Sequence, residues 1–143
     1  MTLKQISIFI ENKEGRLKKA INAISDKNIN IRALSLADTS KYGILRLIVS
    51  DNKLAIKALE EKGFIVRENE VIIVGVPDKP TGLNSVLEVF EKNNLNIEYL
   101  YAFTSTKANE AIVVIRLENT ENAVSILKEN NINVFEKEDI ERL

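Results

Sequence analysis

The chain is 143 residues long, 45% hydrophobic and 29% charged, with a formal net charge of −1 and a pI near 5.7. This is the composition of a globular protein of one ordinary domain or two very small ones, and it offers no basic footprint for nucleic acid. No histidine and no cysteine is present, which removes the usual neutral-pH general base, the thiol nucleophile and the nitrogen and sulfur ligands of zinc.

In chain order, Lys4–Ile10 reads as a buried or alternating strand. Arg16–Asp26 follows as a helix with Leu17, Ala20, Ile21 and Ile24 at helical spacing. Ile29–Ala37 is predicted as a strand, Tyr42-Gly43 sits near a turn and Ile44–Ser50 is the next strand. Asn52–Lys62 is a helix with Leu54, Ala55, Ala58 and Leu59 on one face, and Phe64–Arg67 is a closing strand. The same order returns as Val71–Val76, Gly82–Lys92, Leu95–Phe103, Ala111–Leu117, Thr120–Glu129 and Ile132–Glu136. Asp51 or Asn52, and Thr120, are expected N-caps. The charged tail 136–143 suits a short final helical turn.

The second half repeats the first. Ile6–Ile10, Lys13, Leu17, Asn28-x-Asn30-Ile31 and Leu34 recur as Ile72–Val76, Lys79, Leu83, Asn94-x-Asn96-Ile97 and Leu100, 66 residues on. Ala55, Leu59, Glu61 and Val66 recur as Ala123, Leu127, Glu129 and Val134, at an offset of 68. The two extra residues fall in the loop from Ala37 to Ile44, which becomes Phe103 to Ile112. All four helices are followed by Gly or Asn and then an apolar residue: Asn28-Ile29, Gly63-Phe64, Asn94-Leu95 and Asn131-Ile132. Gly and Asn tolerate the left-handed backbone that ends a helix, and the apolar residue folds back onto the last turn. Each repeat therefore predicts an α+β, ferredoxin-like β-α-β-β-α-β unit, with an antiparallel sheet and helices on one face. The expected units are residues 1–68 and 69–143. Only Arg67–Glu70 connects them, which predicts units in fixed contact.

The segment joining first strand to first helix carries the most information. It reads Glu11-Asn12-Lys13-Glu14-Gly15-Arg16-Leu17 in one unit and Pro77-Asp78-Lys79-Pro80-Thr81-Gly82-Leu83 in the other. An apolar strand, Asp/Asn-x-Pro-Gly-x-Leu, an amphipathic helix and then Asn-Ile resembles the ACT domain, twice and over nearly the whole chain. The chain as a whole resembles stand-alone tandem ACT proteins with no catalytic domain. The resemblance implies that an amino acid or related small metabolite binds where two units pack side by side. It implies a site from Asn12, Lys13, Glu14, Gly15, Arg16 and Leu17, or Asp78, Lys79, Pro80, Thr81, Gly82 and Leu83. The start of a neighbouring unit's second strand, Asn30-Ile31 or Asn96-Ile97, completes it. The repeats depart from the pattern differently. Asn12 and Glu14 stand for the usual Asp and Pro, while Thr81 stands where Gly is expected and Gly82 follows one place later. The first loop ranks ahead because Gly15 is in place.

The physics suits such a use. A helix N-terminus offers free N–H groups and the positive dipole end to a carboxylate. Asn12 or Asp78 can accept from an ammonium group. The plainer alternative is that Asn12 and Asp78 cap helices and that Gly15 and Gly82 turn the chain. With ordinary dihedrals at Gly15, Gly15→Val is expected to weaken binding and spare the fold.

Other features are weaker. Tyr99, Tyr101 and Phe103 share one strand face, more in keeping with a packing or dimer stripe than with base stacking. This stripe, with the small core of each unit, predicts at least a homodimer. Arg46 and Arg116 are expected as solvated strand positions. No cofactor, metal site, nucleic-acid partner or membrane span is expected, and the expected location is cytoplasmic. The function read from these residues is a non-catalytic, amino-acid-binding regulatory protein. The alternative is a regulatory subunit that grips a separate enzyme of amino-acid metabolism. A carboxylate enzyme is the remaining reading.

Overall fold

The computed structural model describes residues 3–38, 41–107 and 109–143. Thr39, Ser40 and Ala108, in the two loops where the repeats differ in length, lie outside the described residues. Two compact units result, one of Lys4–Asn69 and the other of Glu70–Leu143 together with Leu3.

In the first unit, β1 (Leu3–Glu11), α1 (Arg16–Ser25), β2 (Ile31–Asp38), β3 (Tyr42–Val49) and α2 (Asn52–Glu61) follow in order. β3 lies between β1 and β2 and is antiparallel to both. Ile6, Ile8 and Ile10 of β1 and Leu45 and Leu47 of β3 form one core with Ala20, Ala23 and Ile24 of α1 and Ala55 and Leu59 of α2. The alternate residues Ser7 and Arg46, paired across the strands, stay outside that core, so both helices cover one sheet face. The opposite face keeps a buried polar chain. Gln5 Nε2 donates to Ser7 Oγ (3.3 Å), which donates to Asn69 Oδ1 (2.7 Å).

The second unit repeats this with α3 (Gly82–Lys92), β5 (Tyr99–Lys107), β6 (Glu110–Arg116) and α4 (Thr120–Glu129), followed by α5 (Lys137–Glu141). β6 lies between β4 (Ile65–Pro77) and β5, antiparallel to both. Ile72, Val74, Val76, Val113 and Ile115 pack on Val86 and Phe90 of α3 and Ala123, Val124 and Leu127 of α4.

The four helix stops behave as the sequence indicates. Asn28, Asn94 and Asn131 have φ of 56°, 55° and 60°, and Gly63 has φ of 88°. In each case the next N–H reaches back five residues: Ile29 to Ile24 O, Phe64 to Leu59 O, Leu95 to Phe90 O and Ile132 to Leu127 O. These bonds satisfy last-turn carbonyls and seat the apolar residue.

Several expectations change. The strands at Phe64–Arg67 and Val71–Val76 are one 13-residue strand. Arg67-Glu68-Asn69-Glu70 contains neither Gly nor Pro to interrupt it, and Arg116 Nη1 holds the Glu70 carbonyl (2.7 Å). The predicted strand Ile132–Glu136 is reduced to a bridge, Val74 with Val134, because Glu136 turns into the capping box of α5 with Asp139. β5 begins at Tyr99 rather than Leu95, since the Leu95 N–H is spent on the stop of α3. The cap of α4 is Asn119, which accepts from Asn122 N, as Asp51 accepts from Leu54 N in α2. Thr120 instead buries its hydroxyl on Glu70 Oε2 (3.2 Å).

The aromatic stripe is already covered. Tyr101 and Phe103 are each 8% exposed, and Tyr99 stacks on Tyr101 at 6.5 Å. It therefore gives no reason of its own for a second copy. Arg116 is not a solvated strand position either. Its Nε pairs with Glu98 Oε2 at 3.2 Å and its side chain is 25% exposed.

Candidate functional site

The two strand–helix loops share one backbone plan. In the first unit, Asn12 N donates to Lys41 O (3.1 Å), Lys13 N to Glu11 O (2.8 Å), Arg16 N to Lys13 O (3.3 Å) and Lys19 N to Gly15 O (2.9 Å). In the second, Asp78 N donates to Asn109 O (2.9 Å), Lys79 N to Pro77 O (2.9 Å), Gly82 N to Lys79 O (2.9 Å) and Ser85 N to Thr81 O (3.0 Å). Every donor and acceptor corresponds through the repeat. Lys41 and Asn109, which tie each loop to the neighbouring hairpin, were not among the residues singled out by sequence. Their 68-residue spacing was the available signal.

Both loops deliver a helix whose N-terminus is free of side-chain capping. The cap position of α1 is Gly15 and that of α3 is Thr81, and neither start has a side-chain cap bond. Asn12 and Asp78 therefore do not cap these helices. Asn12, Lys13, Glu14, Gly15 and Leu17 are exposed, as are Lys79, Pro80, Thr81 and Leu83. Uncapped first-turn N–H groups beside exposed polar side chains can accept a carboxylate.

The two glycines have different reasons to be glycine. Gly15 has φ of +81°, and a Cβ there would meet nothing within 4 Å. Its requirement is the dihedral angle. Gly15→Val therefore puts a β-branched residue in the left-handed region and is not a clean probe of binding. Thr81, at the matching position, has φ of −96°. Gly82 is buried, and a Cβ there would fall 1.8 Å from the Pro77 carbonyl oxygen. It is a packing requirement rather than a displaced motif glycine.

The strand starts are built differently from the loops. Asn30 N donates to Ser50 Oγ and Ser50 N to Asn30 O, both at 3.0 Å. Ile31 and Ile97 are half-buried and pack against the helix-side core of their units. Asn96 is exposed and precedes β5. Two shallow surface concavities include none of these residues. One runs along α2 past Lys53, Ile56 and Glu60, and the other is lined by Glu70, Glu118 and Glu121.

The electrostatics of the loops also differ. Glu11 sits between Lys13 Nζ (3.1 Å) and Arg16 Nη2 (3.8 Å). The Lys13 hydrogen bond and charge, with Arg16 next, hold the Glu11 carboxyl below its ordinary value. Pro77 replaces Glu11 in the second loop. Because the folded pKa is lowered, the pairing favours the folded state above the ordinary carboxylate pKa and fades as pH falls through the lowered value. The group is exposed, so the effect is small. Glu11→Gln is expected to melt slightly below the wild type at pH 7 and together with it at pH 3 in thermal unfolding followed by circular dichroism. A difference that grows toward acid would contradict the pairing.

Among the described residues, no group of three or more acidic side chains is placed to hold a metal ion. No helix among them is long and apolar enough to cross a membrane.

The fold is that of two similar α+β units with matching strand–helix loops. The model of the ACT domain pair matches residues 1–143, and the chain belongs to that family. It is similar to the crystal structure of protein BT0572 from Bacteroides thetaiotaomicron, at 38% identity and a TM-score of 0.92, covering 100% of this chain and 98% of that one. The ligand-free regulatory subunit of aspartate kinase from Thermus thermophilus is similar at 19% identity and a TM-score of 0.64, over 88% and 91% of the two chains. The regulatory subunit from Thermus flavus gives 20% identity and 0.62, over 87% and 88%. At such identities the last two show the fold alone. No curated protein matches the chain.

Proposed function

We propose that this ACT pair binds an amino acid or closely related metabolite and acts as a non-catalytic regulator, with the ligand held where two ACT units meet. The observation that carries the reading is the duplicated loop. Two segments of different sequence hold the same backbone bonds and both end on an uncapped helix N-terminus. A ligand carboxylate would take the first-turn N–H groups of α1 or α3, and its ammonium group would face Asn12 or Asp78. Asn30-Ile31 or Asn96-Ile97 of the adjoining unit would close the pocket. Ligand that prefers one packing of the units biases that packing, which is the coupling a regulator needs.

The test is a thermal-shift screen of the twenty common amino acids. A binder of the native state at about a hundred times its Kd adds roughly 2.7 kcal/mol and raises Tm. Asn12→Ala and Asp78→Ala are the variants of choice, because neither side chain caps a helix. The expected result is a Tm rise with one or a few amino acids that is reduced in at least one variant while both stay folded. No shift with any amino acid at millimolar concentration defeats the ligand reading. A shift unchanged in both variants defeats the site.

The likeness to aspartate kinase regulatory subunits supports a second reading, in which the protein controls a separate enzyme. Co-purification of a catalytic chain with the tagged protein would favour it.

A further inference from the structure

Gly75 stands inside the 13-residue strand β4, between Val74 and Val76 of the helix-side core, and so faces away from the helices. A glycine within a strand weakens it and marks a place where another group comes close. Here that group is the Glu110 carboxyl. A Cβ at Gly75 would fall 2.7 Å from the carboxyl carbon of Glu110. The same carboxyl reaches on to Asn133. Asn133 Nδ2 donates to Glu110 Oε1 (3.2 Å), and the Asn133 carbonyl accepts from Gly75 N (2.8 Å). One side chain thus links β6 to the segment that follows α4, across the backbone of β4.

Glu110 also opens β6 beside the second strand–helix loop. It pairs with Pro77, the residue before Asp78. It follows Asn109, whose carbonyl accepts from Asp78 N (2.9 Å). The link and the tie to the loop are therefore one residue apart.

The first unit has the same backbone tie without the link. Through the repeat, Gly75, Glu110 and Asn133 correspond to Phe9, Tyr42 and Ile65, and all three are exposed. Phe9 puts a side chain where the second unit leaves room for a carboxyl. Phe9 and Ile65 are hydrocarbon side chains and cannot close a hydrogen-bonded link. The bond from Asn12 N to Lys41 O (3.1 Å) stands there without it.

We propose that Glu110 is a positioning residue for the loop Asp78–Leu83. Its carboxyl, seated on Gly75 and held by Asn133, fixes the start of β6. Asn109 O then holds Asp78 N and with it the loop. The loop Asn12–Leu17 has no such latch and is the looser of the two. On the ligand reading above, on which this consequence alone rests, the second loop meets a carboxylate with less ordering left to do and binds ahead of the first. That order reverses the one Gly15 suggests.

Hydrogen–deuterium exchange of the full chain, followed by NMR with no amino acid added, tests the latch. Relative to its unstructured rate, the Asp78 N–H is expected to exchange about fivefold more slowly than the Asn12 N–H. Glu110→Ala should speed Asp78 about fivefold, the scale of one hydrogen bond. Asn12, and the Leu95 N–H that closes the far end of α3 on Phe90 O, should not change. Gly75→Ala keeps the carboxyl but takes its seat, and should speed Asp78 likewise. Glu110→Gln offers Asn133 an amide oxygen in the same place and should stay within about twofold of the wild type. The proposal is overturned if Asp78 exchanges no more slowly than Asn12 in the wild type, or if Glu110→Ala leaves Asp78 unchanged. It is equally overturned if Glu110→Ala speeds Leu95 as much as Asp78, which is general loosening of the unit. These results do not depend on any ligand, so they separate from the thermal-shift screen on which the ligand reading stands or falls. In that screen Asp78→Ala should reduce the shift more than Asn12→Ala, and the reverse order would overturn the binding order.

Discussion

Replacing Gly82 with alanine is expected to destabilise the protein by about 3 kcal/mol or more, a large effect for one methyl group. The new Cβ would lie 1.8 Å from the Pro77 carbonyl oxygen and 2.8 Å from its carbon. Both are backbone atoms at the end of β4. The oxygen is further fixed by the Lys79 N–H at 2.9 Å, so no side chain can swing away to make room. Either α3 shifts off the sheet or the loop opens, and both disturb the packing of Val86 and Phe90. Gly15 provides the contrast. Its surroundings are open, and alanine there meets only the left-handed dihedral, worth about 1–2 kcal/mol. Asparagine at Gly15 should cost less than alanine, as Asn28, Asn94 and Asn131 already adopt that conformation. Urea unfolding followed by circular dichroism ranks the three variants. Gly82→Ala costing no more than Gly15→Ala would refute the packed-loop account.

The legible parts of this fold share a physical character. The helix stops could be read because a left-handed residue followed by an apolar one is a local requirement, met within six residues of chain. The α3 boundaries at Gly82 and Lys92, and those of α4 at Thr120 and Glu129, follow in the same way from local signals. The strand boundaries depended on partners distant in sequence. Nothing in Arg67–Glu70 marks it as strand. Its state is settled by Asn69 receiving the Ser7 hydroxyl and by Glu70 O receiving Arg116. The closing strand failed for the opposite reason, since the charged run from Glu136 forms its own capped helix.

The candidate site divides similarly. The loops could be located by their repeat, and the equivalence of their backbone bonds follows from it. The separate reasons for the two glycines could not be read, because a positive φ and a close carbonyl leave the same letter in the sequence. The Glu11 clamp was also hidden. Charged neighbours in a loop give no sign of which of them will pair, and here Lys13 and Arg16 both turn back to one carboxylate.

The duplication extends to the cores, and truncating equivalent leucines should show it. Leu59 of α2 and Leu127 of α4 are 68 residues apart and both fully buried. Each packs its side chain into its own unit's helix–sheet core. Each also lends its carbonyl to the helix stop, from Phe64 N at 3.1 Å and Ile132 N at 3.0 Å. Leucine-to-alanine changes at such sites remove the transfer free energy of the lost carbons and leave a cavity, together about 2–5 kcal/mol. Leu59→Ala and Leu127→Ala are each expected in that range, near 3 kcal/mol. Leu54 is the control on α2, since it is 37% exposed and lies outside the buried cluster. Its change to alanine should cost less than about 1 kcal/mol, because little apolar surface is returned to water. Chemical denaturation of the three variants measures the differences directly. A Leu59→Ala protein no less stable than Leu54→Ala would show that α2 does not bury its Ala55–Leu59 face. The same loss from Leu59 and Leu127 would show that two diverged copies still rest on one packing solution, with the leucine before each helix stop as its keystone.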